Sequence, residues 1–185
     1  TLGGRGASVL LIDADLRRAG ATHALGLHRA PGLSDVICGT CTLGSAIQVL
    51  GSDPVTTAVP IAVLTAGSPV DAPAAILRSP DFAACLRAAA IDYDVVIIDA
   101  PPVNVVADTI LLSAHVDGVL LVVRAGVTPL AALAYASEQL ASVNAPVVGS
   151  ILNHVDLRRE SSYDAAYQYD GTYDPYYVGT DRPSE

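Results

Sequence analysis

Residues 10–18 read Leu-Leu-Ile-Asp-Ala-Asp-Leu-Arg-Arg, and residues 96–103 read Val-Ile-Ile-Asp-Ala-Pro-Pro-Val. Each is an apolar run that ends in acid. Asp13 and Asp15 stand two apart, so on an extended chain they point to the same side. Asp99 ends the second run in the same manner. Hard oxygen ligands gathered at strand ends suit Mg²⁺, which usually takes one or two carboxylates with water and substrate phosphate. Either stretch alone reads equally well as the cap of a helix or turn, or as the end of a strand. Two of them in one pattern of parallel strands favour a nucleotide–metal site. Arg17 and Arg18 follow at once, placed either to approach phosphates or to face solvent.

A second group of reactive side chains lies at the other end. Tyr163, Tyr167, Tyr169, Tyr173, Tyr176 and Tyr177 are six of the eight tyrosines in the chain. Their neighbours are Asp, Gly, Ser, Thr and Pro, so the rings have no apolar surface to pack against. Low hydrophobicity with high acidity predicts a flexible tail.

The elements that must position the aspartates are legible as continuous apolar runs over 8–13, 61–64, 95–99, 119–123 and 147–152. They do not alternate polar and apolar, which predicts strands covered on both faces, as in a parallel sheet flanked by helices. Ser79 before Pro80 predicts a capped helix to about Ala90, and Thr128 before Pro129 predicts another to about Val143. Helices are also expected over 43–50 and 104–115. Strand and helix alternate to about Leu157, which gives a doubly wound, mostly parallel α/β sheet. In such sheets ligands bind beyond the carboxyl ends of the strands, where these acids fall. Composition changes after Arg158, so the expected division is a domain over 1–158 and a tail over 159–185.

The totals narrow the classes. The chain has 185 residues, 51% of them hydrophobic, with one Phe and no Trp, enough for one aliphatic core. A net charge of −9 argues against nucleic acid as a partner, since phosphate neutralisation needs an excess of Lys and Arg. There is no Met and no Lys; all ten basic residues are Arg. The chain therefore reads as a fragment, or as a product clipped at its N-terminus. Cys38 and Cys41 have redox or half-zinc-site spacing, but no second pair follows, so a turn is expected there. Cys85 is expected to pack on a helix face. No apolar run reaches the ~18 residues of a membrane span, and a soluble, cytoplasmic domain is expected.

The two acid-ended runs, in this order and closed by a tyrosine cluster, make the chain similar to a family of bacterial tyrosine kinases. These are the autokinases that accompany capsule and exopolysaccharide export, a branch of the P-loop ATPases related to the partition and division-site ATPases. Residues 10–18 resemble the family's Walker A′ motif and residues 96–103 its Walker B. Further matches cover almost the whole folded part. They are Gly32-Leu-Ser-Asp-Val36, Leu64-Thr-Ala-Gly67, Asp92-Tyr-Asp94, Val116-Asp-Gly-Val119 and Leu121-Val-Val-Arg124. Leu152-Asn-His-Val155 stands where the family often has Leu-Asn-Arg/Lys-Val.

The resemblance implies a P-loop fold using ATP and Mg²⁺. Asp13 would organise the metal and serve as base toward a tyrosine hydroxyl, Asp15 would assist, and Asp99 would hold the metal through its water shell. Asn153 would contact the adenine base and Arg17 the phosphates. The six clustered tyrosines would be phospho-acceptors. The implied partner is a membrane chain-length regulator (a polysaccharide co-polymerase), fused upstream or separate, which would bring the domain to the inner face of the plasma membrane. A homo-oligomer is expected of the complete protein. One departure bears on activity. The family's Gly-x-x-x-x-Gly-Lys-Ser/Thr loop is missing, and with it the strand that feeds the loop. The 185 residues are thus expected not to phosphorylate tyrosine on their own. Two competing readings share the motifs: a partition- or division-type ATPase switch, and a non-catalytic scaffold or phospho-acceptor.

Overall fold

The computed structural model describes residues 6–51 and 60–156. Its centre is β1 (Val9–Asp13), whose Leu10 and Ile12 are fully buried. Parallel partners flank it on both sides, β3 (Ile61–Leu64) and β4 (Val95–Asp99). With β2 (Ile47–Leu50) these make a four-stranded sheet in the order β2-β3-β1-β4. A second sheet pairs β5 (Val119–Arg124) with β6 (Val147–Asn153), again in parallel. The α/β class and the mostly parallel sheet expected from the sequence are both present.

All five anticipated strands form. The helix expected from Ser79 is α5 (Pro80–Asp92): the Ser79 side chain accepts the Phe82 N–H at 3.1 Å, and Pro80 opens the first turn. Phe82 and Cys85 then turn inward with Ala89, so the one Phe and the expected helix-face cysteine both join the core around Leu10, Leu33, Leu64 and Leu77. Cys38, Cys41 and Cys85 are free thiols.

Four expectations need correction. Residues 43–50 are not one helix: α3 (Leu43–Ala46) lasts a single turn, and β2 follows directly. Thr42 and Ser45 close a capping box that starts the turn, but antiparallel pairing of Ile47–Leu50 with β3 claims the rest. Tertiary pairing overrides local propensity here. In 104–115 the helix α6 occupies only Asp108–Ser113. The helix expected from Thr128 is α7 (Leu130–Ser142), capped by Pro129; Thr128 instead uses its hydroxyl to accept the Arg124 N–H. Coverage on both faces fails for the second sheet, where Leu120, Val122 and Leu152 are each half or more exposed. Among the described residues β4 pairs only with β1 and β5 only with β6.

Three short helices had no clear sequence signal: α1 (Gly20–Ala24), α2 (Leu33–Ile37) and α4 (Pro73–Leu77). The first two carry the chain from β1 past the end of β3. There Gly32 lies so close to Gly67 and Thr65 that a Cβ would clash with the Gly67 nitrogen and the Thr65 oxygen. Asp35 ties the crossing by accepting the Gly32 and Ser68 N–H groups at 2.8 and 3.0 Å. Burial works against its charge, but the Ser68 and Gly32 bonds outweigh that and hold the carboxyl below the usual range.

Candidate active site

Parallel pairing of β1 with β4 sets Asp13 directly beside Asp99. One further bond, from the Ala14 N–H to the Asp99 carbonyl at 2.8 Å, carries the pairing past the strand ends. The two loops that bear the acids are therefore fixed to each other by the backbone.

Each aspartate has a different environment. Asp13 is fully buried; its Oδ2 accepts the N–H and Oγ–H of Thr22 at 2.8 and 2.7 Å, and its Oδ1 accepts the Asp15 N–H at 3.1 Å. Asp15 is also buried, and its Oδ1 accepts the Arg17 and Arg18 N–H groups at 3.2 and 2.9 Å. Both acids thus serve their local backbone as well as the site, which is the capping use that the sequence left open. Asp99 reaches solvent, and among the described residues no donor bonds its carboxylate. Partial burial first, then the charges of Asp13 and Asp15, push its pKa above the usual carboxylate range.

Arg17 is not a free cation. Its guanidinium grips Asp108 with two bonds, Nε to Oδ2 at 2.9 Å and Nη2 to Oδ1 at 3.3 Å. Those hydrogen bonds, and then the charge of Asp108, raise its pKa further. Asp108 is almost completely buried at the start of α6, and its neighbour Thr109 donates to the Pro101 carbonyl. The first turn of α6 is thereby tied to both acid loops. Arg18 is exposed, and among the described residues its guanidinium has no hydrogen-bond or ion-pair partner. A small cavity of about 80 Å³ opens here, lined by Asp15, Arg17, Arg18, Pro101, Pro102, Val105 and Val106. A larger recess of about 470 Å³ lies between α2 and α5 and includes none of these acids.

Carboxylates at adjacent strand ends are of the chemistry that a hard divalent cation takes. Asp13 and Asp99 are register partners, the charges of Asp13 and Asp15 act on Asp99, the neighbouring guanidinium of Arg17 is committed to Asp108, and among the described residues no donor bonds the Asp99 carboxylate. Among the described residues no group of three or more His, Cys, Asp or Glu side chains is placed to hold a metal ion by itself. Mg²⁺ does not need one, since it usually retains several waters. Bound there, Mg²⁺ would supply positive charge to phosphate oxygens.

Of the other sequence candidates, Asn153 ends β6 in the second sheet, where its side chain accepts the His154 N–H. No hydrogen bond joins it to the aspartates. Tyr163, Tyr167, Tyr169, Tyr173, Tyr176 and Tyr177 lie outside the described residues, as does the expected boundary after Arg158. Sequence reading missed Thr22 and Asp108. An acid opening the apolar stretch Thr109-Ile-Leu-Leu112 was a signal for Asp108; Thr22 gave none.

No protein-family model matches the chain. It is 34% identical over 159 residues to tyrosine-protein kinase YwqD of Bacillus subtilis, covering 86% of this chain and 65% of that protein. It is 32% identical over 154 residues to the putative tyrosine-protein kinase EpsB of Ralstonia solanacearum, covering 82% of this chain but 19% of that one. The chain thus spans just under two thirds of the first relative and about a fifth of the second. Among solved structures, the kinase domain of the Escherichia coli tyrosine kinase ETK superposes with a TM-score of 0.76 at 29% identity, over 83% of this chain and 58% of that one. The septum site-determining protein MinD of Pyrococcus horikoshii, at 22% identity and a TM-score of 0.61, shares the fold.

Proposed function

From the premise that this chain belongs with the bacterial tyrosine-protein kinases, on the P-loop ATPase fold that MinD shares, we propose that it is the catalytic domain of an ATP-dependent protein-tyrosine autokinase. Its role would be to regulate capsular or exopolysaccharide synthesis, beside a membrane chain-length regulator at the inner face of the plasma membrane. Among the described residues no helix is long and apolar enough to cross a membrane, so attachment would come through that partner or through sequence beyond this chain. The observation that carries the reading is the meeting of Asp13, Asp15 and Asp99 at adjacent parallel strand ends.

In this reading the stretches over 10–18 and 96–103 act as Walker A′ and Walker B. Asp13 would organise Mg²⁺ and receive the phenolic proton, Asp15 would assist, and Asp99 would hold the metal through its water shell. A tyrosine of pKa about 10 is a weak nucleophile at neutral pH, so a carboxylate beside the attacked phosphate has a clear task. Phosphoryl transfer otherwise rests on positioning and charge stabilisation. The acceptors are the six tyrosines of residues 163–177, and each phosphate adds about −1.5 to −2 charges. That charge would drive subunits of a homo-oligomer apart.

The test is phosphotyrosine formation by the native gene product with ATP and Mg²⁺, and its loss by about 100-fold or more in Asp99→Asn. Unchanged labelling in that variant would sink the assignment. The 185 residues alone are expected to form no phosphotyrosine, because a chain without Lys cannot supply the P-loop lysine. That same absence favours a second reading, a phospho-acceptor scaffold. It is distinguished by labelling of the tail only when an active relative is added. Replacing all six tyrosines by Phe should leave ATP binding intact and hold the protein in one assembly state.

A further inference from the structure

We propose that Thr22 is a positioning residue for the acid cluster: it fixes which oxygen of Asp13 is left for a cation or its bound water. The inference rests on the reading of that cluster as a Mg²⁺ site. Thr22 lies in α1 and is fully buried, as are Asp13 and Ala66. Its N–H and Oγ–H both donate to Asp13 Oδ2, while its Oγ accepts the Ala66 N–H at 3.2 Å just past β3. On the other oxygen, among the described residues, Asp13 Oδ1 accepts only the Asp15 N–H. A carboxylate offers about four acceptor positions. Three are filled, two of them on Oδ2, so the vacant position is on Oδ1.

A hydroxyl suits this place because it donates and accepts at once. Valine would keep the shape but lose both hydroxyl bonds, leaving the buried Ala66 N–H without that acceptor and Asp13 Oδ2 held by the backbone N–H of residue 22 alone. Thr22 also joins the ends of β1 and β3 through one atom, so the direction of Asp13 is set by the sheet rather than by its own loop. Outer-shell groups that orient a metal ligand typically change metal affinity about 10–100-fold when removed.

The experiment is Mn²⁺ binding by this chain, read by electron paramagnetic resonance, in wild type, Thr22→Val, Thr22→Ser and Asp99→Asn. Thr22→Val is expected to bind about 10-fold more weakly or worse, and Thr22→Ser, which keeps the hydroxyl, within about two-fold of wild type. Asp99→Asn should bind most weakly. A purely structural Thr22 would lower the melting temperature of Thr22→Val without moving the affinity of its folded form. Equal affinity in folded Thr22→Val and wild type overturns the proposal and leaves the cation site standing. A wild-type chain that takes up no Mn²⁺ overturns the site itself, and the proposal with it. Should Thr22→Val fail to fold, Mg²⁺ titration of ¹⁵N-labelled wild type decides the matter. The Thr22 amide, bonded to Asp13, must shift together with that of Asp99; a Thr22 amide that stays still while Asp99 moves overturns the proposal.

Discussion

Asp99 stands beside two like charges with no donor of its own among the described residues, and two predictions at the scale of single residues follow from such environments. Its folded pKa is raised, so the folded chain binds a proton more readily than the unfolded one, and ionised Asp99 opposes folding. In chelator, Asp99→Asn should therefore melt higher at pH 7. The gain should shrink as pH falls through the raised pKa toward the unfolded value of about 3.9, where wild-type Asp99 is protonated as well. A lower melting temperature at pH 7 would mean that Asp99 bonds to something in the fold. Asp35 has the opposite sign. Its folded pKa is depressed, so its stabilisation is present above the unfolded pKa and is lost as pH falls through the folded one. Asp35→Asn should destabilise by about 1 kcal/mol at pH 7 and progressively less in acid, read from urea midpoints across pH. The aspartates were legible because each ends an apolar run. The bonds of Thr22 and Asp108 were not, because their partners lie 9 and 91 residues away in the chain.

Elements were legible where one signal dominated. The Ser79-Pro80 start of α5 and the apolar runs of β1, β3 and β4 needed no tertiary information. The stretch 43–50 did, because a capping box and a short β-branched run compete within eight residues and β3 decides between them. The crossing of the Gly32 and Gly67 loops was equally hidden, although both segments had matched the family. Gly32 has an extended backbone that any residue can adopt, so its requirement is space alone. Gly32→Ala must displace the backbone of Gly67 and Thr65. We expect a loss of about 2–3 kcal/mol, measurable by chemical denaturation. A loss below about 0.5 kcal/mol would show that the loops separate freely.

For the whole molecule, the alternation of strand and helix was enough to give the α/β class, but not the division into two sheets. That division depends on which strand edges meet, and apolar runs are silent on the order of strands. It has a measurable consequence in local stability. β1 is paired on both edges and buried, whereas β5 and β6 have one partner each and exposed apolar side chains. Amides of β1 should exchange with solvent only through near-global opening, and those of β5 and β6 through smaller openings and faster. Uniform protection across both sheets in hydrogen-exchange mass spectrometry would contradict this.

The register of β1 on β4 also bears on how the chain folds. Native pairing places Asp13 beside Asp99, and like charges set opposite each other on neighbouring strands disfavour the arrangement that holds them. The correct register is thus electrostatically the uphill one, reached because it pairs all of Val9–Ile12 with Val95–Ile98. A divalent ion that binds the assembled pair and not the open chain would tilt that choice by mass action. The ion would then act as a folding template before any phosphate arrives, and refolding should be more complete in millimolar Mg²⁺ than in chelator.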